Sequence, residues 1–170
     1  MDQATLDRIQ KAHPKIREML MSQYKEANNK LNKGVRLRFT RVYSSPEEQN
    51  EIYAQGRTKP GKIVTNAKAW ESIHNYGLAF DIVLLIDKNN DGKFEEVSWD
   101  MVKDFDGDGI SDWLEIVTYF KSKGWKWGGD WKKLKDGPHF QYDFGFDWKT
   151  LSSGLTTKPG QFHFFIGQQF

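Results

Sequence analysis

The chain contains no cysteine, which excludes disulfides, thiolate nucleophiles and every zinc site built on sulfur. Any metal must therefore be held by imidazole, carboxylate or carbonyl groups. No apolar run approaches the roughly 18 residues of a membrane span. The first residues, Met1-Asp2-Gln3-Ala4, carry neither the basic region nor the apolar core of a secretory leader. The expectation is synthesis in the cytoplasm, with any exit by another route. Charge of one sign is also missing: 25 Lys plus Arg stand against 23 Asp plus Glu, a net +2, which argues against nucleic acid as a partner. What the 170 residues have in quantity is aromatic bulk, 15% with 7 Trp and 12 Phe. That suffices to pack one core in one domain.

Apolar residues Leu6, Ile9, Ile16, Leu20, Tyr24, Ala27 and Leu31 recur at helical spacing. His13-Pro14 divides them into a short helix and a second over about 14–29, with Pro at its first turn. Alternation over 35–43 reads as a half-buried strand. Ser45-Pro46-Glu47-Glu48 is a helix start, and that helix stops near Gly56. Residues 58–71 read as loop, 78–86 as a central strand buried on both faces, and 112–123 as a helix with Trp113, Ile116, Val117 and Phe120 inward. Short strands or loops are expected at 125–131 and 138–143, and a last strand at 162–166. The fold class is α+β, a small mostly antiparallel sheet flanked by helices.

The chemistry concentrates in Ser72-Ile-His74-Asn-Tyr-Gly77-Leu-Ala79-Phe-Asp81 and in Asp136-Gly-Pro-His139-Phe-Gln141. A carboxylate inside an apolar strand is costly unless paired or bound to a metal. Two imidazoles and one carboxylate form a normal ligand set for catalytic zinc, leaving a fourth position for water. A further carboxylate can then take the proton of that water as it attacks a carbonyl.

These phrases, with Tyr53-Ala-Gln-Gly-Arg57-Thr, Pro60-Gly-Lys-Ile-Val-Thr-Asn66 and Trp127-Gly-Gly-Asp130-Trp131, resemble the zinc peptidases of peptidoglycan. That family includes D-alanyl-D-alanine carboxypeptidases and phage L-alanyl-D-glutamate endolysins, and it shares a fold with the Hedgehog signalling domain. The resemblance spans roughly 35–143. It implies that His74, Asp81 and His139 hold zinc, that Asp136 is the general base, and that Ser72 is a hydrogen-bonding residue beside the metal. The family also carries an Arg five residues before the Gln of its Glu-Gln pair, where it steadies the oxyanion. Counting back from Gln49 lands on Ser44. Arg41 and Arg57 are the candidates to replace it. Strand alternation turns Arg41 to the other face unless a bulge re-aims it, whereas Arg57 lies in the family's Gly-Arg-Thr phrase.

Asp104-Phe-Asp106-Gly-Asp108-Gly-Ile110-Ser-Asp112-Trp-Leu-Glu115 fits the calcium-loop pattern, with Gly sixth and Glu twelfth. Ile110 would offer its carbonyl. Asp87, Asn89, Asp91 and Lys93 begin a second such loop, but Ser98 stands at its twelfth position. Calcium is expected in the first loop and, with a poorer ligand set, in the second; the expected role is structural, fastening the insertion beside the catalytic strand, and ordering of the site by calcium is the weaker alternative. The bland reading of both is a solvated acidic turn.

Among the other residues, Trp127 and Trp131 could line a groove for a glycan or peptide stem or could equally belong to the core, the core being favoured for one of them, and Asp130 could orient a ligand His. Lys132, Lys133 and Lys135 could attract stem carboxylates. His13 is expected at the surface, and His163 in the last strand. The whole chain, 1–170, is expected to be one zinc peptidase domain. It would comprise a helical part (1–34), an Asp-rich insertion (about 87–112) and a C-terminal extension (151–170). It would act as a monomer on the peptide stem of peptidoglycan, favouring the L-alanyl-D-glutamate bond and released in the manner of a phage lysin. The alternatives are a D-alanyl-D-alanine carboxypeptidase and a zinc-stabilised module that binds wall or protein without turnover.

Overall fold

The fold is that of a computed structural model describing residues 1–154; the strand expected at 162–166, and His163 with it, lie outside the described residues. Helix α1 (Gln3–Ile9) starts at Asp2, whose carboxylate accepts from Thr5 N at 3.0 Å and Thr5 Oγ1 at 2.7 Å. The same carboxylate is gripped by Arg38 at 3.0 and 2.6 Å, so a helix cap doubles as the tie to the first strand. Helix α2 (Pro14–Asn28) begins on Pro14, and the ring of His13 caps it by accepting from Lys15 N. His13 is half-buried rather than a free surface residue. Its backbone N–H donates to Gly77 O at 2.9 Å. Gly77 has a φ of 66°, and a β-carbon there would lie 2.7 Å from His13 N. Only glycine fits this junction.

Strand β1 (Val35–Arg41) pairs antiparallel with the central strand β2 (Ala79–Ile86). The other edge of β2 is shared. β5 (His139–Gln141) pairs with Ala79–Asp81, and β3 (Glu96–Ser98) with Leu84–Ile86. β4 (Lys126–Trp127) closes the sheet against β5. Helix α3 (Pro46–Ala54) carries a full capping box, Ser45 with Glu48. Helices α4 (Asp112–Ser122) and α5 (Trp148–Ser153) follow the insertion and the last strand. β3 is an addition to the sequence reading. It hides in an acidic stretch because three residues give too little alternation to read.

Alternation divides β2 cleanly. Phe80, Ile82, Leu84 and Ile86 join Leu37, Phe39, Phe120, Trp125 and Phe140 in one buried cluster. Phe39 and Phe140 stack on the two sides of Phe80, at 4.2 and 5.2 Å between ring centres, within the range where aromatic pairs add to burial. Asp81, between Phe80 and Ile82, therefore emerges on the face opposite this core.

Candidate metal centre

Three strands set one row of side chains across the sheet. Phe39 pairs with Ile82, but Arg41, not Thr40, pairs with Asp81. This one-residue bulge turns Arg41 onto the face of Asp81, which simple alternation would deny it. On the other side Asp81 is in register with His139. Arg41, Asp81 and His139 thus stand abreast on β1, β2 and β5.

His74 reaches the same point from the 3-10 turn Ile73–Tyr76 that precedes β2. Ser72 Oγ accepts from His74 N at 3.3 Å, and His74 O accepts from Ser44 N at 3.2 Å. The turn is stitched down further by Asn75, which donates to Ser44 O at 2.9 Å. Ser72 therefore caps the His74 turn. Ser44, where the family's Arg would stand, is buried and bonds through its backbone.

The ligand atoms form a near-equilateral triangle. His74 Nε2 lies 3.1 Å from Asp81 Oδ1 and 3.2 Å from His139 Nδ1, and His139 Nδ1 lies 3.1 Å from Asp81 Oδ1. Tetrahedral zinc with bonds of about 2.0 Å has edges of about 3.3 Å, so the three atoms fit one face of such a tetrahedron. The outer nitrogens are satisfied elsewhere. His74 Nδ1 is 3.0 Å from Val42 O, which makes it the protonated nitrogen and leaves Nε2 as the lone pair. His139 Nε2 is 3.0 Å from Gln141 Oε1, with the same consequence for Nδ1. Gln141 donates in turn to Asp143 at 2.5 Å, and Asp143 is paired with Lys126 at 2.8 Å. Hydrogen bonds that hold an imidazole in its ligating tautomer are a usual companion of metal sites.

Protonation favours an ion. Burial lowers the pKa of His74 and keeps it neutral. Burial alone would raise that of Asp81, but His74, His139 and Arg41 outweigh it and hold the carboxyl well below the usual range. Arg41 grips the outer oxygen of Asp81 at 2.8 and 2.9 Å. A neutral His74 imidazole and an ionised Asp81 carboxylate are the states a metal binds.

Asp136 stands outside the triangle, with Asp81, His139, Arg41 and His74 as its titratable neighbours. Burial first, and the charge of Asp81 second, raise its pKa, as suits a group that exchanges protons near neutrality. Its turn is fixed by Asp136 N to Gly128 O at 3.0 Å and His139 N to Asp136 O at 3.2 Å. A β-carbon on Gly128 would come within 2.4 Å of Asp136 O, so glycine is required for this approach. Trp131 lies beside the site, its ring centre 5.1 Å from that of His139. A cleft of about 430 Å³ opens along Arg41, lined by Arg8, Lys11, Tyr43, Ser44 and Glu48 among others.

Other expected residues lie elsewhere. Arg57 donates to Tyr53 O, Thr65 O and Asn66 Oδ1 at 2.7–3.0 Å and stacks on Tyr53. Its guanidinium clamps the 57–66 loop and does not join the cluster. Asp130 pairs with Lys121 at 2.6 Å, not with a ligand imidazole. Trp127 packs on the core and donates to Gly137 O at 2.6 Å, so it supports the Asp136 turn. Lys132, Lys133 and Lys135 are exposed. Gln141, which orients His139, was quoted in the sequence without a role. Its position two residues after a ligand, on the same strand face, was the signal.

Both acidic loops converge. Ligand oxygens of Asp104, Asp106 and Asp108 lie within 4.8 Å of one another, as do those of Asp87, Asp91 and Glu95. Gly109 and Gly92, sixth in each loop, have φ values of 93° and 91°. Asn89 accepts from Asp91 N. Lys93 turns its amine back to Asp91, and the ninth residue, Glu95, brings a carboxylate to the Asp87–Asp91 cluster. In the first loop Asp112 is fully buried and Ile110 exposed. Burial, then Asp106, push the Asp112 carboxyl up to about 6.

Comparison with known proteins agrees with this geometry. Residues 65–142 match a family model described as D-alanyl-D-alanine carboxypeptidase. The peptidoglycan L-alanyl-D-glutamate endopeptidase CwlK of Bacillus subtilis (strain 168) is 49% identical over 110 residues, 65% of this chain and 62% of that protein. The L-alanyl-D-glutamate peptidase of Listeria phage A118 is 30% identical over 111 residues, 62% of this chain and 35% of that protein. The chain thus spans less than two thirds of the length of either relative. The crystal structure of the L-Ala D-Glu endopeptidase ChiX of Serratia marcescens superposes with a TM-score of 0.53 at 21% identity, over 83% of this chain and 87% of that one. That likeness establishes the shared fold.

Proposed function

We propose that the chain is a zinc peptidoglycan peptidase, supported by the family-model match over residues 65–142 and by the 49% identity to CwlK, and that it hydrolyses the L-alanyl-D-glutamate bond of peptidoglycan stem peptides. The observation that carries the reading is the His74–Asp81–His139 triangle with the Asp136 carboxyl, its pKa raised by burial, beside it. The 49% identity to an endopeptidase of that name favours this bond over the D-alanyl-D-alanine bond in the description of the family model. When bound, zinc supplies Lewis acidity, polarising the scissile carbonyl and acidifying water. His74, Asp81 and His139 would hold it.

The remaining work falls to this chain's own groups. Asp136 accepts the proton of the attacking water and delivers it to the leaving amine as the C–N bond breaks. Arg41 keeps Asp81 ionised and places positive charge beside the site, where the carbonyl oxygen turns negative. Gln141 and Val42 keep the imidazoles in register. A binding module without turnover would have no use for the base; the raised Asp136 carboxyl favours the enzyme.

The proposal includes action on the cell wall by one domain acting as a monomer. It also includes calcium in the Asp104–Glu115 loop and, with weaker closure, in the Asp87 loop, both being sets of hard oxygen donors. Mass analysis of muropeptides from purified wall tests the bond directly. New L-alanine carboxyl termini with zinc-loaded protein, absent with Asp136→Ala, are the expected result. D-alanine release would point to the carboxypeptidase, and no product at all to the binding module.

A further inference from the structure

The insertion reaches the Asp136 turn through one side chain. A β-carbon on Gly137 would lie 2.7 Å from Met101 Sδ and 3.0 Å from its methyl carbon. The thioether therefore rests on the backbone of the residue next to Asp136. From the other side the Trp127 indole holds the Gly137 carbonyl. Met101 is in turn held by its own carbonyl, which accepts from Ser111 Oγ at 2.9 Å. Ser111 is the eighth residue of the Asp104 loop and the N-cap of α4. Loop, Ser111, Met101, Gly137 and Asp136 are thus joined by direct contacts.

The loop itself is electrically incomplete. Asp112 is fully buried; one oxygen accepts from Phe105 N at 2.7 Å, while the other has no partner and its carboxylate lies against that of Asp106. Glu115 also has a buried oxygen without a partner, and its charged neighbours are Asp108, Asp106 and Asp112, with Lys30 as the nearby cation. Acceptors facing acceptors, with no donor between them, are stabilised only by a proton or a cation. Five carboxylates at calcium-loop spacing suit a large, oxygen-seeking divalent ion.

We propose that calcium bound by Asp104, Asp106, Asp108, Asp112 and Glu115 latches the Asp136 turn in place through Ser111 and Met101. With the cation, the loop and the first turn of α4 are drawn together, Ser111 is fixed, and Met101 bears on Gly137. Without it, mutual repulsion loosens the loop and releases Met101. The effect on rate rests on the hydrolase reading above; the effect on structure does not.

The test uses the full chain, freed of metal, saturated with zinc and titrated with calcium. Calorimetry should report binding tighter than about 1 mM, the weak end for such loops. Asp112→Asn and Glu115→Gln should each weaken it at least about tenfold. Calcium should slow hydrogen exchange of the Asp136 and His139 amides at least about fivefold and raise wall hydrolysis with it. Met101→Ala should bind calcium like the wild type yet lose both responses. Absence of binding overturns the site. Binding with unchanged exchange, or an unaltered response in Met101→Ala, overturns the latch even if the wall is cleaved. Slowed exchange without hydrolysis in any state upholds the latch and removes the hydrolase reading.

Discussion

Asp81 and Asp112 both sit mostly out of water, yet their surroundings differ in kind. Asp81 has a guanidinium on one oxygen and two imidazoles on the other. Asp112 has one backbone donor and an opposing carboxylate. The first centre is organised from outside: Val42, Gln141 and Arg41 orient the ligands whether or not an ion is present. The second has no such support, and under the calcium proposal its order would come from the ion. Removing metal should therefore silence the first with its shape retained, and loosen the second locally.

The largest expected effect separates chemistry from metal holding. Asp136→Asn should lower wall hydrolysis by about a hundredfold to ten-thousandfold while zinc content, measured by atomic emission, stays at that of the wild type. Lost zinc would move Asp136 into the ligand set. Next, Gln141→Leu should weaken zinc binding by about ten- to a hundredfold, read by competition with a chelating dye, with an unchanged circular dichroism spectrum. Unchanged affinity would mean that the centre is not held by its outer partners.

A smaller effect belongs to Asp2, a carboxylate supported as Asp81 is. Burial would raise its pKa, but Arg38 and Thr5 together hold it below the ordinary value. A depressed carboxyl adds stability above its unfolded value, about 3.9, and that increment is lost as pH falls through the folded value. Asp2→Asn should cost about 1–2 kcal/mol at pH 7 and flatten the acid limb of urea unfolding. Smallest, and opposite in sign, Asp112→Asn should raise the melting temperature of calcium-free protein by about 2–4 °C, because it relieves an unpaired charge. A fall would show that Asp112 is already satisfied without an ion.

The same contrast governs what the sequence discloses. Ser45-Pro46-Glu47-Glu48 and the apolar run before Ile86 are local signals, and α3 and β2 appear where they indicate. His74, Asp81 and His139 could be named because residue type and phrase carry them. Arg41 could not be placed, because the bulge beside Thr40 arises from pairing with β2 and leaves no local mark. The polar partners of Asp130 and Trp127 were hidden for the converse reason: each stands in a phrase close to the site, but Lys121 and Gly137, which bond their polar groups, are brought in by the fold. The orphaned oxygens of Asp112 and Glu115 belong to the same class, since burial is a property of the packed chain.

The row formed by Arg41, Asp81 and His139 makes the ion an inspector of strand alignment. A slip of one residue between β2 and β5 would carry the imidazole into the aromatic interior and turn Phe140 outward. A misaligned sheet could then not load metal at all. Because only the correctly paired chain gains the binding energy, the cofactor rewards the right topology as it equips it for chemistry, and assembly errors are left without an active centre.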